Sequence, residues 1–210
     1  MAKKALPLIL IFAATVLLFY PVLGIYFPGD DFFHFKVAQT DGSLPAFVKL
    51  FGFYPFSARG IVFWRPIFRE ALYNIFFLLW GLNHLPFRIL ALTLHLFNIA
   101  LVYILIQKFF AKKVLSFFTA FFFGVTAANV GVLYYLAGGI QAQGATMFVL
   151  ATLLLFDKHT RLSFLTFVLA LASHELAVIA LPLLLALSLI QKKSLKRLWP
   201  FAIVTALYLY

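Results

Sequence analysis

The stretch LPLILIFAATVLLFYPVLGIYFPGDDFFHF, Leu6 to Phe35, joins a long apolar run to two adjacent carboxylates. Leu6 to Tyr26 matches the ~20 apolar residues that a helix needs to cross a hydrocarbon core. Lys3 and Lys4 precede the run as they would in a secretory leader, but it is longer than a leader's apolar region and no small-x-small cleavage site follows. The sequence therefore predicts a retained span, with Asp30 and Asp31 just beyond it. Only six acidic residues occur in the chain, so two at neighbouring positions call for an explanation.

Composition points the same way. Of 210 residues, 65% are hydrophobic and 11% charged, and the mean hydropathy is +1.05. Soluble domains hold roughly 45–50% apolar residues, so a single soluble core is excluded and an all-α, polytopic transmembrane helical protein is predicted. A net charge of +11 would suit nucleic acid only with a basic face or binding motif; here the Lys and Arg sit in small clusters between apolar runs, and no nucleic-acid partner is expected. The absence of cysteine excludes disulfides, thiol catalysis and Cys-ligated zinc.

Further spans are predicted over Phe87–Ile106, twice within Val114–Phe156, as a compact pair within Leu162–Ile190, and from Leu198 onward. Basic clusters at Lys3/Lys4, Lys108/Lys112/Lys113, Lys158/Arg161 and Lys192/Lys193/Lys196/Arg197 fall at every second junction. The positive-inside rule then places the N-terminus in the cytoplasm and residues 27–86 outside a cell membrane. Asp30, Asp31, Asp41, Glu70 and Glu175 come to lie on or near the outer side. Reading the lysines as merely solvated explains their exposure but not their alternation.

The outer segment 27–86 is too aromatic for a free loop. SLPAFVKLFGFYPF predicts one short interfacial helix and RPIFREALYNIFFLLWG a second, with Pro66 in the first turn and Gly81 as a left-handed C-cap. Trp64, Tyr73 and Trp80 suit the headgroup level of the bilayer. Leu162–Ile190 would be ~44 Å as one helix, too long for one straight span and too short for two full ones. A hairpin turning at ASHELA is expected, which brings Ser173, His174 and Glu175 to the outer interface, where Glu175 either faces a polar cavity or pairs with an Arg or His.

Three landmarks in order, GDDFFHF, FWRPIFREALYNIFFLLWGLNHLPFRILALTLHLFNIALVYIL and LALASHELAVIALPLLL, resemble the amino-terminal half of polytopic GT-C glycosyltransferases. Within that superfamily the likeness is to protein O-mannosyltransferase-like proteins and the tetratricopeptide-repeat O-mannosyltransferases. Where many of these have a Lys before the later glutamate, this chain has His174, and GVTAANVGV lacks the Pro-x-His step found near the end of their third span. The resemblance implies that residues 1–210 form the amino-terminal part of a longer GT-C-like domain. It also implies transfer of a sugar from a polyprenyl-phosphate donor to a hydroxyl of a protein or glycan acceptor at the outer face of the lipid bilayer, with inversion.

That chemistry needs a carboxylate, because a neutral hydroxyl is a poor nucleophile and removing its proton in the transition state is worth typically 10²–10⁴-fold. Asp30 or Asp31 is the expected catalytic base. The pair could instead hold a divalent cation if the donor phosphate completed the shell, or form a solvated turn ending the first span. Arg65 and Arg69, one helical turn apart at the start of an interfacial helix, are the expected donor-phosphate binders. Pairing with Glu70 or contact with headgroups is the simpler use for them. His34, His174 and Glu175 are expected to assist, whereas His95 and Asn98 fit hydrogen bonding between helices. Two other classes remain: a transporter or flippase subunit with a His174/Glu175 proton relay, and a non-catalytic membrane scaffold.

Overall fold

The computed structural model describes residues 2–210, with side chains from Leu6 onward, and every regular element among them is helical. Helix α1 (Ala2–Phe19) tightens into a 3₁₀ turn over Tyr20–Gly24. Pro21 has no N–H to continue the α ladder, so the change of pitch falls where it enters. Two further helices are long and apolar enough to cross a membrane: α6 (His84–Phe110) and α9 (Leu136–Leu155). A fourth crossing is possible as a bent pair, α7 (Lys113–Val125) and α8 (Ala128–Tyr134), with a 55° bend. Large apolar residues such as Leu6, Leu10 and Leu17 on α1, Phe97 and Ile104 on α6, and Phe118 and Phe122 on α7 are exposed. Apolar surface on this scale suits lipid rather than water. This is the build of a multi-pass membrane protein.

The segment between α1 and α6 is folded, in ways the sequence only partly predicts. Helix α2 (Gly29–Ala38) begins immediately at the aspartates, where the sequence suggests a turn; Asp30 and Asp31 lie in its first turn, at the positive end of its dipole. The first expected interfacial helix is two short pieces, α3 (Leu44–Lys49) and α4 (Phe56–Arg59). Ser43 caps α3 by accepting from the Ala46 N–H, and Pro55 forces a restart. The second starts at Pro66 as expected, but as a wide π turn over Pro66–Ala71 that leads into α5 (Leu72–Trp80). Gly81 ends it at φ +57° and ψ −132°, a positive-φ cap outside the left-handed helical basin.

The expected hairpin forms. Helix α10 (Thr160–Leu171) breaks at Ser173, and a 3₁₀ turn over Glu175–Ile179 leads into α11 (Ala180–Ile190); α12 (Trp199–Leu209) follows. Asp157, just before α10, accepts from Lys193, just after α11, at 2.5 Å and from Lys108 at 3.1 Å. The end of α6, the start of α10 and the end of α11 therefore share one end of the bundle. Helix α6 packs on α1, α7 and α9, and α9 in turn packs on α8, α10 and α11. Gly144 permits one close contact, since a Cβ there would overlap the Phe68 ring from the π turn.

Candidate functional site

At the end of the bundle opposite Asp157, four segments converge: α2, the π turn, the α8–α9 junction and the hairpin turn. A single residue ties two of the joints. Arg88, on α6 and fully buried, donates to the carbonyls of Ile25 and Tyr26 at 2.9 Å each and to those of Leu133 and Tyr134 at 2.9 and 3.0 Å. The first pair lies just past the 3₁₀ turn and the second at the end of α8, where four C=O groups have no helical partner. The guanidinium supplies those missing donors and thereby holds the approach to the aspartates against the start of α9.

The aspartates do not act as a convergent pair. Neighbours on a helix project about 100° apart at 3.6 residues per turn. Asp31 points inward: it is fully buried, and its Oδ1 accepts from the Tyr73 hydroxyl at 2.6 Å, while Oδ2 has no partner. Burial raises its pKa to about 6, against the lowering effects of Tyr73 and Arg88 and with a small raise from Asp30. Asp30 points out into a cleft and accepts from the Tyr135 hydroxyl at the α8–α9 junction. This hydrogen bond, with burial second, pushes the Tyr135 phenol up to about 12, so it stays a neutral donor.

The sequence expectation that Asp30 and Asp31 jointly hold a cation does not fit this geometry. One carboxylate is occupied inside the fold and the other outside it, and among the described residues no group of three His, Asp or Glu side chains could hold a metal ion.

The cleft beside Asp30 has a volume of about 390 Å³ and is lined by Asp30, Phe33, His34, Arg65, Tyr135, Ala137 and Gly138. A chain of polar contacts runs behind it. His34 Nδ1 lies 3.2 Å from Gln141 Nε2, Arg65 Nη1 donates to Gln141 Oε1 at 2.8 Å, and Arg65 Nε and Nη2 form a fork on Glu175 at 2.7 and 2.5 Å. Burial, then Arg69 and Arg65, lower His34 to about 4, so its neutral ring can accept from the Gln141 amide. The fork resolves the two sequence readings of Glu175: it pairs with an arginine and also lines an adjoining cavity with Trp64 and Tyr208. His174 turns to a local task, its Nδ1 accepting from the Leu176 N–H at 3.2 Å.

The two arginines expected to share a phosphate are separated. Arg65 sits before the helix at φ −137° and ψ 57°; the Arg69 N–H still reaches its carbonyl at 3.3 Å, but this non-helical backbone sends the Arg65 side chain away from the face that a four-residue spacing would share. Arg65 faces Asp30's cleft; Arg69 is buried, donates to Glu70 at 2.8 Å and lines a different pocket with Arg59. His95 and Asn98 join neighbouring helices as expected, through the carbonyls of Gly124 and Gln143 at 2.9 and 3.0 Å.

Tyr135, Gln141 and Arg88 did not stand out in the sequence. Arg88 carried a usable signal, a charge inside an apolar span; the other two are ordinary polar residues until the fold brings them to α2. Compared with protein-family models, with curated proteins and with solved structures, the chain matches none. The fold and the site together define a class only: an all-helical chain with three helices able to span a membrane, and a polar cleft at one end of its bundle.

Proposed function

We propose that this chain carries the acceptor-activating half of a membrane glycosyltransferase that uses a polyprenyl-phosphate sugar, with Asp30 as its base. One observation carries the reading: of the two adjacent carboxylates, only Asp30 opens onto a cleft, where a neutral Tyr135 hydroxyl orients it. At about 390 Å³, the cleft falls in the range of small-molecule sites.

In this reading Asp30 takes the proton of the acceptor hydroxyl as the new C–O bond forms at the anomeric carbon. The bond from that carbon to the phosphate oxygen breaks, and the lipid phosphate leaves with the electron pair. Arg65, across the same cleft, offers positive charge to the leaving group, with its fork held by Glu175. No step is assigned to a metal ion. Asp31, Tyr73 and Arg88 position α2 and touch no substrate.

The test is transfer by membrane-reconstituted protein supplied with a polyprenyl-phosphate sugar and a hydroxyl acceptor. Asp30→Asn should cut turnover by about 10²-fold or more, the scale of a lost general base, whereas Asp31→Asn should leave turnover within a few-fold of wild type. Full activity in a correctly inserted Asp30→Asn protein would end the proposal and return the chain to the transporter or scaffold classes.

A further inference from the structure

A second polar pocket lies apart from the Asp30 cleft and shares no lining residue with it. It is small, about 90 Å³, and its walls are Tyr54, Arg59, Phe63, Trp64, Arg69 and Glu70, closed at one side by Phe53 stacked on Trp64 at 4.5 Å. Two guanidinium groups meet here over one carboxylate. Arg69 donates to Glu70 at 2.8 Å and to the Phe63 carbonyl at 2.5 Å, and Arg59 lies 3.6 Å from the other Glu70 oxygen while donating to Val37. The local charge is therefore net positive by one.

Arg69 is only 5% exposed, yet both of these hydrogen bonds come from Nη2; Nε is buried without a partner, and Nη1 has none either. Leaving charged donors unpaired inside a fold is costly, and a planar guanidinium with free N–H groups is suited to the oxygens of a phosphate. Glu70 does not cancel this arrangement. It holds the two arginines side by side, one on each carboxylate oxygen, and leaves the Arg69 Nε without a partner.

The surroundings indicate where such an anion comes from. Phe53 and Val62, which line the pocket, are 75% and 72% exposed. An apolar, aromatic rim of that kind rests at the headgroup–acyl boundary of a bilayer, which sets the mouth of the pocket at the depth of lipid phosphates. A pocket of about 90 Å³ accepts a group of phosphate size, while the rim is left for the chains.

We propose that the Arg59–Arg69–Glu70 pocket binds the phosphate of an anionic bilayer phospholipid, which anchors the outer segment to the membrane. This site does not depend on the glycosyl-transfer reading and would serve any of the functional classes. The intact protein carries its own reporter, because Trp64 forms part of the wall; replacing the exposed Trp80 and Trp199 by Phe leaves it as the only tryptophan, which can be excited apart from the tyrosines.

Reconstituted in vesicles that mix brominated phosphatidylglycerol with unlabelled phosphatidylcholine, and in the reverse mixture, Trp64 should report a preference for the anionic lipid. The expected ratio is roughly five- to thirtyfold, the scale of one or two arginines at a lipid surface. Arg59→Gln should bring the ratio close to one, and Arg69→Gln should do the same if it inserts correctly. Equal quenching by the two lipids in the wild-type background overturns the proposal, as does a preference that survives Arg59→Gln. Loss of the preference when millimolar inorganic phosphate is added would show instead a site for soluble phosphate and refute the lipid assignment.

Discussion

Asp30 and Asp31 are chemically identical neighbours whose surroundings give them different tasks. The Asp31 carboxyl, held at about 6 chiefly by burial, lies above the ~3.9 of an unfolded chain. At this group the folded state thus binds more protons than the unfolded state between about pH 4 and 6, and the stability that Asp31 contributes falls as pH rises through that window before levelling off above it. The cost is on the order of 2–3 kcal/mol, reduced by the Tyr73 hydrogen bond that is already part of the balance. Asp31→Asn keeps an acceptor for the Tyr73 hydroxyl and removes the titration. Thermal denaturation in detergent, with wild type and variant compared at each pH, should show the variant's advantage growing from about pH 4 to 6 and levelling off by pH 7, since His34, lowered to about 4, titrates alike in both. A lower midpoint for Asp31→Asn at pH 7 would mean that the charge itself holds the fold, through Arg88.

At the scale of elements, the decisive object is the joint between α1 and α8 made by Arg88. All four of its hydrogen bonds go to backbone carbonyls at the ends of other helices. Arg88→Met fills similar space but strands those acceptors in a buried place, at about 1–3 kcal/mol each where no water reaches them. Arg88→Met should therefore lower unfolding stability by about 3 kcal/mol or more, and it should free α2 from the α8–α9 junction. The second effect is separable: a cysteine pair at residues 30 and 135 should be bridged readily by a short bifunctional thiol reagent, which spans the gap left by the tyrosine ring, in an otherwise wild-type background and poorly in Arg88→Met. Equal cross-linking in both would show that α2 is held by its aromatic packing alone.

This joint marks the limit of what the sequence discloses. Spans, their hairpin and the polar outer segment follow from apolar run length and from where charges interrupt it, which are local properties. Partners of the site residues are not local: Asp30 meets Tyr135 across 105 positions and His34 meets Gln141 across 107. The pairing of aspartates suggested convergence because side-chain direction was unknown; once α2 is a helix, about 100° of rotation separates them. The spacing of Arg65 and Arg69 misled for a related reason, since Arg65 lies just before the helix with non-helical backbone and its side chain does not share the face of Arg69.

For the whole molecule, the two ends of the bundle differ in charge. Lys108, Lys193 and Asp157 meet at one end; Asp30, Arg65 and Glu175 lie at the other. Lys112, Lys113, Lys158, Arg161, Lys192, Lys196 and Arg197 flank the same helix ends, and on the positive-inside rule we propose that this end faces the cytoplasm. Reporter fusions after Lys113, Arg161 and Arg197 should read cytoplasmic, and fusions after Asp41 and Gly139 should read external. An external signal after Arg161 would refute this orientation together with the hairpin, because α10 must start at the Asp157 end for Lys193 to reach it.

The fork between Arg65 and Glu175 spans 110 positions, which makes it a matter of timing. At synthesis rates of ~5–20 residues per second, Arg65 leaves the ribosome roughly 5–20 s before its partner. Throughout that interval the segment between α1 and α6 carries a cation without its carboxylate, and only the arrival of the hairpin turn closes the ring of contacts around the cleft. A nascent chain arrested ahead of residue 175 should accordingly hold Asp30 beside an open wall, so a late-made hairpin completes a site whose first carboxylate was among the earliest residues made.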